Sequence, residues 1–231
     1  MSDSLVSLDG VRVCLALPCY SGYVPLELAT SLAKLSVDCM NYGVTLDVIG
    51  QRENGVITAV RNSLLSQYLE EHKEAEYLFW LDDDIIFTPD DFFNILVVAM
   101  KYKSAAATYT SRTDINPVFF IHAIHGNKPL KFTEDGLIEV KGVGLGFSCQ
   151  HRSILEPLIV GKDQYKDRDG RTVYDVFKLG VVDGNYQGED MCYFDQLYKN
   201  GHITYVHPAI NLKHTGRKDY DHKLLSTIKE Q

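Results

Sequence analysis

YLFWL, residues 77 to 81, places an apolar side chain at every position, and DDD follows it without a break. A strand sends alternate side chains to opposite faces, so a run with no polar member is buried on both. Helices covering both sides of a sheet satisfy that requirement, and the flanking segments supply them. VRVCLAL (11 to 17) is a short apolar run ended by the breaker cluster PCYSG. Pro25 then opens a segment whose Leu26, Ala29, Leu32, Ala33 and Val37 share one helical face. VTLDVIG (44 to 50) leads through the loop QRENG into a helix from Ile57 to Glu71, with Ile57, Val60, Leu64, Leu65 and Tyr68 on its apolar side. After DDD, TPDDFFNILVVAM starts a further helix, with Thr88 as N-cap, Pro89 at the first position and acids in the first turn. SAAATYT (104 to 110) reads as a fourth strand.

Strands separated by helical segments of roughly 10 to 15 residues make βαβ units. The fold class expected is therefore α/β, with a mostly parallel sheet flanked by helices. In such a sheet ligands sit outside the carboxyl ends of the strands, and PCYSG, QRENG and DDD all fall there. At 231 residues, 45% hydrophobic and 23% charged, the chain can bury a core without disulfides or a structural metal. No apolar run reaches membrane length and the first residues carry no signal-peptide pattern, so a cytoplasmic location is expected. Cys14, Cys19, Cys39, Cys149 and Cys192 are odd in number and lack CxxC spacing, which fits buried reduced thiols better than zinc or a disulfide framework. A net charge of −8 argues against stable binding to duplex DNA.

The pattern changes after Ser111. PVFFIHAIH and LIEVKG read as strands of a hairpin, followed by GVGLGFSCQ and a short helix near Ser153 to Leu158. His122 and His125 stand three apart on a strand, hence on opposite faces, and read as structural. Residues 161 to 188 are polar and Gly-rich, which at that length marks a functional loop or lid. GEDMCYFDQLYKNG reads as a helix with Cys192, Tyr193 and Leu197 inward and Gly201 as its stop. HITYVHPAINLKHTG closes with a strand, and a charged tail begins at Arg217.

Three adjacent carboxylates repel unless a cation lies among them. A helix start needs one cap, which Thr88 already provides, so the acids point to function. Asp-x-Asp at a strand end can grip magnesium or manganese while the ion holds a diphosphate. Here the chain resembles the glycosyltransferases of the GT-A fold, in their family-two branch, and small soluble bacterial, viral or phage members above all. ALPCYSG is similar to the family's nucleotide loop, and AVRNSLL (59 to 65) to its Arg-Asn segment. VKGVGLGFSC resembles the glycine-containing strand beside the donor sugar, GED (188 to 190) the acidic motif that opens the acceptor-side helix, and His214 in NLKHTG the late histidine that returns to the metal.

The resemblance implies one GT-A-type sandwich, with a nucleotide-sugar-binding half over about residues 10 to 110 and a smaller acceptor-side β region over about 111 to 216. The donor, most often uridine-linked, would contact Pro18, Tyr20, Arg52, Arg61, Asp82, Asp83 and Gly144. Tyr20 or its neighbours would lie near the base, Arg61 near the base or phosphates, and Asp82 would reach the ribose or the metal. Asp84 would bind manganese or magnesium with His214, and Asp190, or second to it Glu189, would take the proton of the acceptor hydroxyl. The acceptor would be a glycan, a protein-linked glycan or a modified nucleobase; Tyr165, Tyr174 and Tyr186 could stack on it. Two other readings stay open. LFWLDDDII nearly matches the aspartyl-phosphate phosphohydrolase signature, with Asp82 as nucleophile and Asp84 as acid, and a nucleotide-sugar-binding module without catalysis would keep the same acids.

Overall fold

The computed structural model describes residues 6–52, 54–112, 118–124, 129–182 and 184–216. His125 and the tail from Arg217 lie outside the described residues. The first half runs β1 (Arg12–Pro18), α1 (Leu26–Asn41), β2 (Thr45–Gln51), α2 (Ile57–Glu71), β3 (Tyr77–Leu81), β4 (Ile85–Ile86), α3 (Pro89–Tyr102) and β5 (Ser104–Ala106). The second half adds β6 (Ile121–Ala123), β7 (Lys131–Phe132), β8 (Ile138–Val143), β9 (Phe147–His151) and α4 (Arg152–Leu155). A 3-10 turn, Glu156–Ile159, continues α4. β10 (Gln164–Lys166), β11 (Thr172–Tyr174), β12 (Gly180–Val182), β13 (Asn185–Gln187), α5 (Glu189–Lys199), β14 (Thr204–Val206) and β15 (Lys213–His214) complete the chain.

The central sheet has the order β2-β1-β3-β9-β5-β14-β8-β6, with β7 also on β8. β1 pairs in parallel with β2 and β3, and β14 in parallel with β5. β9 runs antiparallel between β3 and β5, and β8 antiparallel to β14 and β6. All other strands of the path therefore share one direction. The result is the expected α/β sandwich, a mostly parallel sheet flanked by helices with small separate sheets at its margin. Because β9 inserts between β3 and β5, both halves of the chain build one sheet. No helix among the described residues is long and apolar enough to cross a membrane.

β3 shows why its run is apolar throughout. Leu78 and Trp80 enter one core with Val60, Leu64 and Tyr68 of α2 and Tyr193, Phe194 and Leu197 of α5. Tyr77, Phe79 and Leu81 enter the other, with Leu28 and Leu35 of α1 and Phe92 and Leu96 of α3. Phe79 meets Phe92 and Phe147 at 4.6 and 4.9 Å between ring centres. α3 starts as expected: Thr88 Oγ1 accepts from Asp91 N–H, Asp91 accepts from Thr88 N–H, and Pro89 is first in the helix.

Several expectations need correction. α1 buries Leu28, Ser31, Leu35 and Cys39, while Leu26, Ala29, Ala33 and Val37 are exposed. Two stripes of helical spacing coexist there, and tertiary contact selects the one in which Ser31 donates to Phe87 C=O at 2.6 Å. α2 is buried nearly all round, including Arg61, Asn62, Ser63 and Ser66. β5 ends at Ala106, and β6 spans Ile121–Ala123. Cys192 is half-buried, and Phe194 and Asp195 join Tyr193 and Leu197 inside.

Residues 161 to 188 are not all lid. Val173, Val176 and Phe177 are fully buried, and Phe177 stacks on Tyr193 at 4.6 Å and meets Trp80 edge-on at 5.5 Å. Asn62 clamps this stretch: its Oδ1 accepts from Val176 and Phe177 N–H at 2.9 and 2.7 Å, and its Nδ2 donates to Asp175 and Phe177 C=O. Those bonds use up Asn62, so it is a structural residue rather than a nucleotide contact. Strand β10, with Gln164–Lys166 exposed, and the β12–β13 hairpin, with Val181 and Tyr186 exposed, face away from the core.

Candidate active site

A cleft of about 850 Å³ opens at the carboxyl ends of β1, β2 and β3. Pro18, Cys19 and Tyr20 enter it from the end of β1, Asn54 and Gly55 from the end of β2, and Asp82, Asp83 and Asp84 from the end of β3. Arg61 projects from α2, Glu189 and Asp190 from the start of α5, and His214 from β15. Tyr109, Ser111, Arg112 and Phe120 close the far side. Residues as far apart in the chain as Pro18 and His214 therefore meet because each sits where an element begins or ends against one edge of the sheet.

At the base lies a buried cation. Arg61, with 4% of its side chain exposed, sends Nη2 to Asp82 (3.1 and 3.3 Å to the two oxygens) and Nη1 to Asp190 Oδ1, with Glu189 at 3.7 Å. Burial works to lower the guanidinium's pKa, but Asp190, Asp82 and Glu189 outweigh it and hold the charge firmly. The acids feel the reverse. Burial, helped by the neighbouring Asp190, Asp84 and Asp83, pushes Asp82 up to about 6 against the pull of Arg61. Burial raises Asp83 and, with Asp190, Glu189 as well. Asp190 Oδ2 accepts from Leu145 N–H at 3.3 Å, so both of its oxygens are engaged.

Asp84 faces a different set of groups. β15 pairs with β4 through Lys213↔Ile86 and His214↔Ile85, and Thr215 N–H donates to Asp84 C=O at 2.7 Å. This pairing brings His214 Nε2 to 3.5 Å from Asp84 Oδ2. His214 Nδ1 lies 2.7 Å from Thr110 C=O. A carbonyl only accepts, so Nδ1 carries the hydrogen and, in the neutral ring, Nε2 presents its lone pair to Asp84. Two electron-rich atoms held face to face suit a shared cation, and Nδ1–H on a backbone carbonyl is how metal-binding histidines are oriented. Arg112 now pairs with Asp84 and is nearly half exposed.

The expected metal set thus divides. Asp84 and His214 fit a hard divalent ion that completes its shell with water and phosphate oxygen. Asp82 is engaged by Arg61 at both oxygens, and Tyr109 O–H lies 3.5 Å from one of them. Among the described residues no three His, Cys, Asp or Glu side chains converge as a full cage.

The glycines of VKGVGLGFSC do different work from that expected. Gly144 does not line the cleft; it lies under the Tyr109 ring, where a Cβ would come 3.1 Å from the hydroxyl. Gly146 is the close approach: a Cβ there would overlap the Asp82 carboxylate and sit 2.6 Å from Tyr109 Oη. Its C=O accepts from Asp82 N–H at 3.0 Å and its N–H donates to Tyr109 Oη at 3.2 Å. Gly142 instead admits α5, where Phe194 Cβ would be 2.9 Å away.

Of the predicted site residues, Pro18, Tyr20, Arg61, Asp82, Asp83, Asp84, Glu189, Asp190 and His214 share the cleft, and Arg52 and Gly144 do not line it. Arg52 packs its stem beside Gly22 in the PCYSG loop. Tyr165, Tyr174 and Tyr186 are likewise not among the lining residues. Tyr109, Ser111 and Arg112 were missed, although their place just past β5, at the same sheet edge, was the available signal.

No family model matches the sequence, and no curated protein matches it. Among solved structures, A197 from STIV overlaps with a TM-score of 0.61 at 17% identity, covering 96% of this chain and 95% of that one. That likeness establishes the fold alone. S. aureus TarS 1–349 in complex with UDP-GlcNAc gives 0.45 at 14% identity over 95% of this chain, which spans 62% of that one. A glycosyltransferase involved in the glycosylation of the major capsid of PBCV-1 gives 0.34 at 13% identity, over 63% and 62%. Overlaps this loose transfer nothing to the site.

Proposed function

We propose that this chain is a metal-dependent glycosyltransferase that moves a sugar from a nucleotide-sugar donor, most naturally uridine-linked, to an acceptor hydroxyl. One observation carries this reading. Asp82, Asp83, Asp84, Glu189 and Asp190 line a cleft where, among the described residues, the guanidinium groups are those of Arg61 and Arg112, so its lining is net negative, yet it lies at the ligand address of an α/β sheet. An anionic diphosphate enters such a cleft together with a cation, and Asp84 with His214 are oriented to share one.

When bound, manganese or magnesium supplies Lewis-acid stabilisation of the departing diphosphate. The protein's own groups do the rest. Pro18 and Tyr20, at the rim, receive the base, and Asp83 faces the same space for the ribose. Arg112, the exposed cation, is free to leave Asp84 for a phosphate oxygen. Asp190 Oδ2 accepts the acceptor's proton as the new glycosidic bond forms and the bond to the diphosphate breaks. Glu189 stands beside it as the second carboxylate. The acceptor is a glycan, a protein-linked glycan or a modified nucleobase. The setting is cytoplasmic, in keeping with five free thiols.

The phosphohydrolase alternative loses ground on the same geometry. Asp82, its nucleophile, is tied to Arg61, and among the described residues that line the cleft none is a lysine. The test is a panel of nucleotide sugars with manganese, read by thermal shift and release of nucleoside diphosphate. Asp84→Asn should abolish the metal-dependent shift, whereas Asp190→Asn should keep the shift and stop transfer. Phosphate release from p-nitrophenyl phosphate with no nucleotide-sugar turnover would refute the proposal.

A further inference from the structure

Arg61 lines the cleft yet offers it almost nothing: its side chain is 4% exposed, and Nη1 and Nη2 are both spent on carboxylates. The helix that carries it is fixed in place, since Asn62, the next residue, makes its bonds to residues 175 to 177 on the protein's own backbone and side chains. Arg61 Nε–H is buried without a protein partner. A guanidinium placed only for stability would satisfy that donor; this one is oriented by the two acids it bridges. Burying a cation among acids is weak evidence for stability and better explained by the geometry it enforces.

The geometry it enforces concerns Asp190. One oxygen is held by Arg61 Nη1 and the other by Leu145 N–H, so the carboxylate cannot turn about its bond. Nη2 of the same guanidinium holds Asp82, at the donor end of the cleft. We infer that Arg61 is not a donor ligand but a positioning residue, which locks the Asp190 base to the donor-side Asp82 so that acceptor and sugar carbon are held in one register. This rests on the glycosyltransferase reading above. The proton still passes from acceptor hydroxyl to Asp190 Oδ2, and Arg61 gains and loses none.

The test is steady-state kinetics of Arg61→Met, Arg61→Lys and the pair Arg61→Met with Asp190→Asn, on the donor that wild type turns over. The inference expects Arg61→Met to lower kcat by about 100-fold with donor KM within about threefold, because a general base contributes roughly that much. Arg61→Lys, which can reach one acid but not bridge two, should fall between. Adding Asp190→Asn to Arg61→Met should cost little more, since the two act as a unit. A donor KM raised about tenfold or more at unchanged kcat would overturn the inference and return Arg61 to the donor site. If Arg61→Met does not fold, Arg61→Lys decides: kcat down about tenfold at constant KM supports the role, and unchanged kcat rejects it. A wild type that turns over no nucleotide sugar would instead refute the glycosyltransferase reading itself, and this inference with it.

Discussion

Asp82→Asn should make the protein more stable, and only above mildly acidic pH. In the folded chain Asp82 titrates at about 6 instead of 3.8, through burial first and then the adjacent Asp190, Asp84 and Asp83. A carboxyl whose folded pKa is raised binds its proton more tightly folded than unfolded, so stability falls as pH climbs between those two values. Below about 4 the penalty is absent; above about 6 it is complete. At about 1.4 kcal/mol per pH unit the full penalty is about 3 kcal/mol, and partial exposure (24% of the side chain) reduces it to between about 1 and 3 kcal/mol. Asparagine removes the charge while keeping an oxygen for Arg61, which retains Asp190 and Glu189 as counter-charges. Urea unfolding followed by the single tryptophan, Trp80, from pH 4 to 8 with a chelator present would measure it. The variant should exceed wild type at pH 7.5 and match it at pH 4. A variant less stable than wild type at pH 7.5, or a difference that ignores pH, would refute the reasoning.

Other substitutions probe the supports of the site. Gly146→Ala should cut transfer at least about tenfold while leaving the far-UV spectrum intact, because a methyl there displaces the Asp82 carboxylate. Arg152 donates to the carbonyls of Tyr68, Leu69, His72 and Ala75 at the end of α2 and lies 4.2 Å over the Tyr68 ring. Arg152→Met should therefore cost about 1.5 to 3 kcal/mol in urea unfolding by removing those charge-assisted hydrogen bonds. His214→Ala should weaken manganese-dependent binding of uridine diphosphate at least about tenfold without altering binding measured in chelator, as calorimetry would show.

The sheet was legible because burial on two faces leaves a mark that no other strand type leaves, and YLFWL carries it. The cleft was legible because loops at one edge of a parallel sheet converge whatever their sequence. Side-chain partners were not. Arg61 reads as a contact to the donor's base or phosphates, with no sign in the sequence that α5 brings Glu189 and Asp190 against it, and the helix period alone cannot choose between the two stripes of α1. Val173, Val176 and Phe177 hid in polar surroundings, since three anchors suffice to pin a segment once Asn62 holds its backbone. The three glycines near 144 announced close approaches, but only packing shows that Gly146 cradles Asp82, Gly142 admits Phe194 and Gly144 sits beneath Tyr109.

Calorimetric titration of uridine diphosphate into wild type and Asp84→Asn, each with manganese and with chelator, tests the central claim most directly. The account predicts binding to wild type that manganese tightens at least about tenfold, and no such gain in the variant. Equal affinity with manganese and with chelator, or a manganese gain that survives Asp84→Asn, would contradict it.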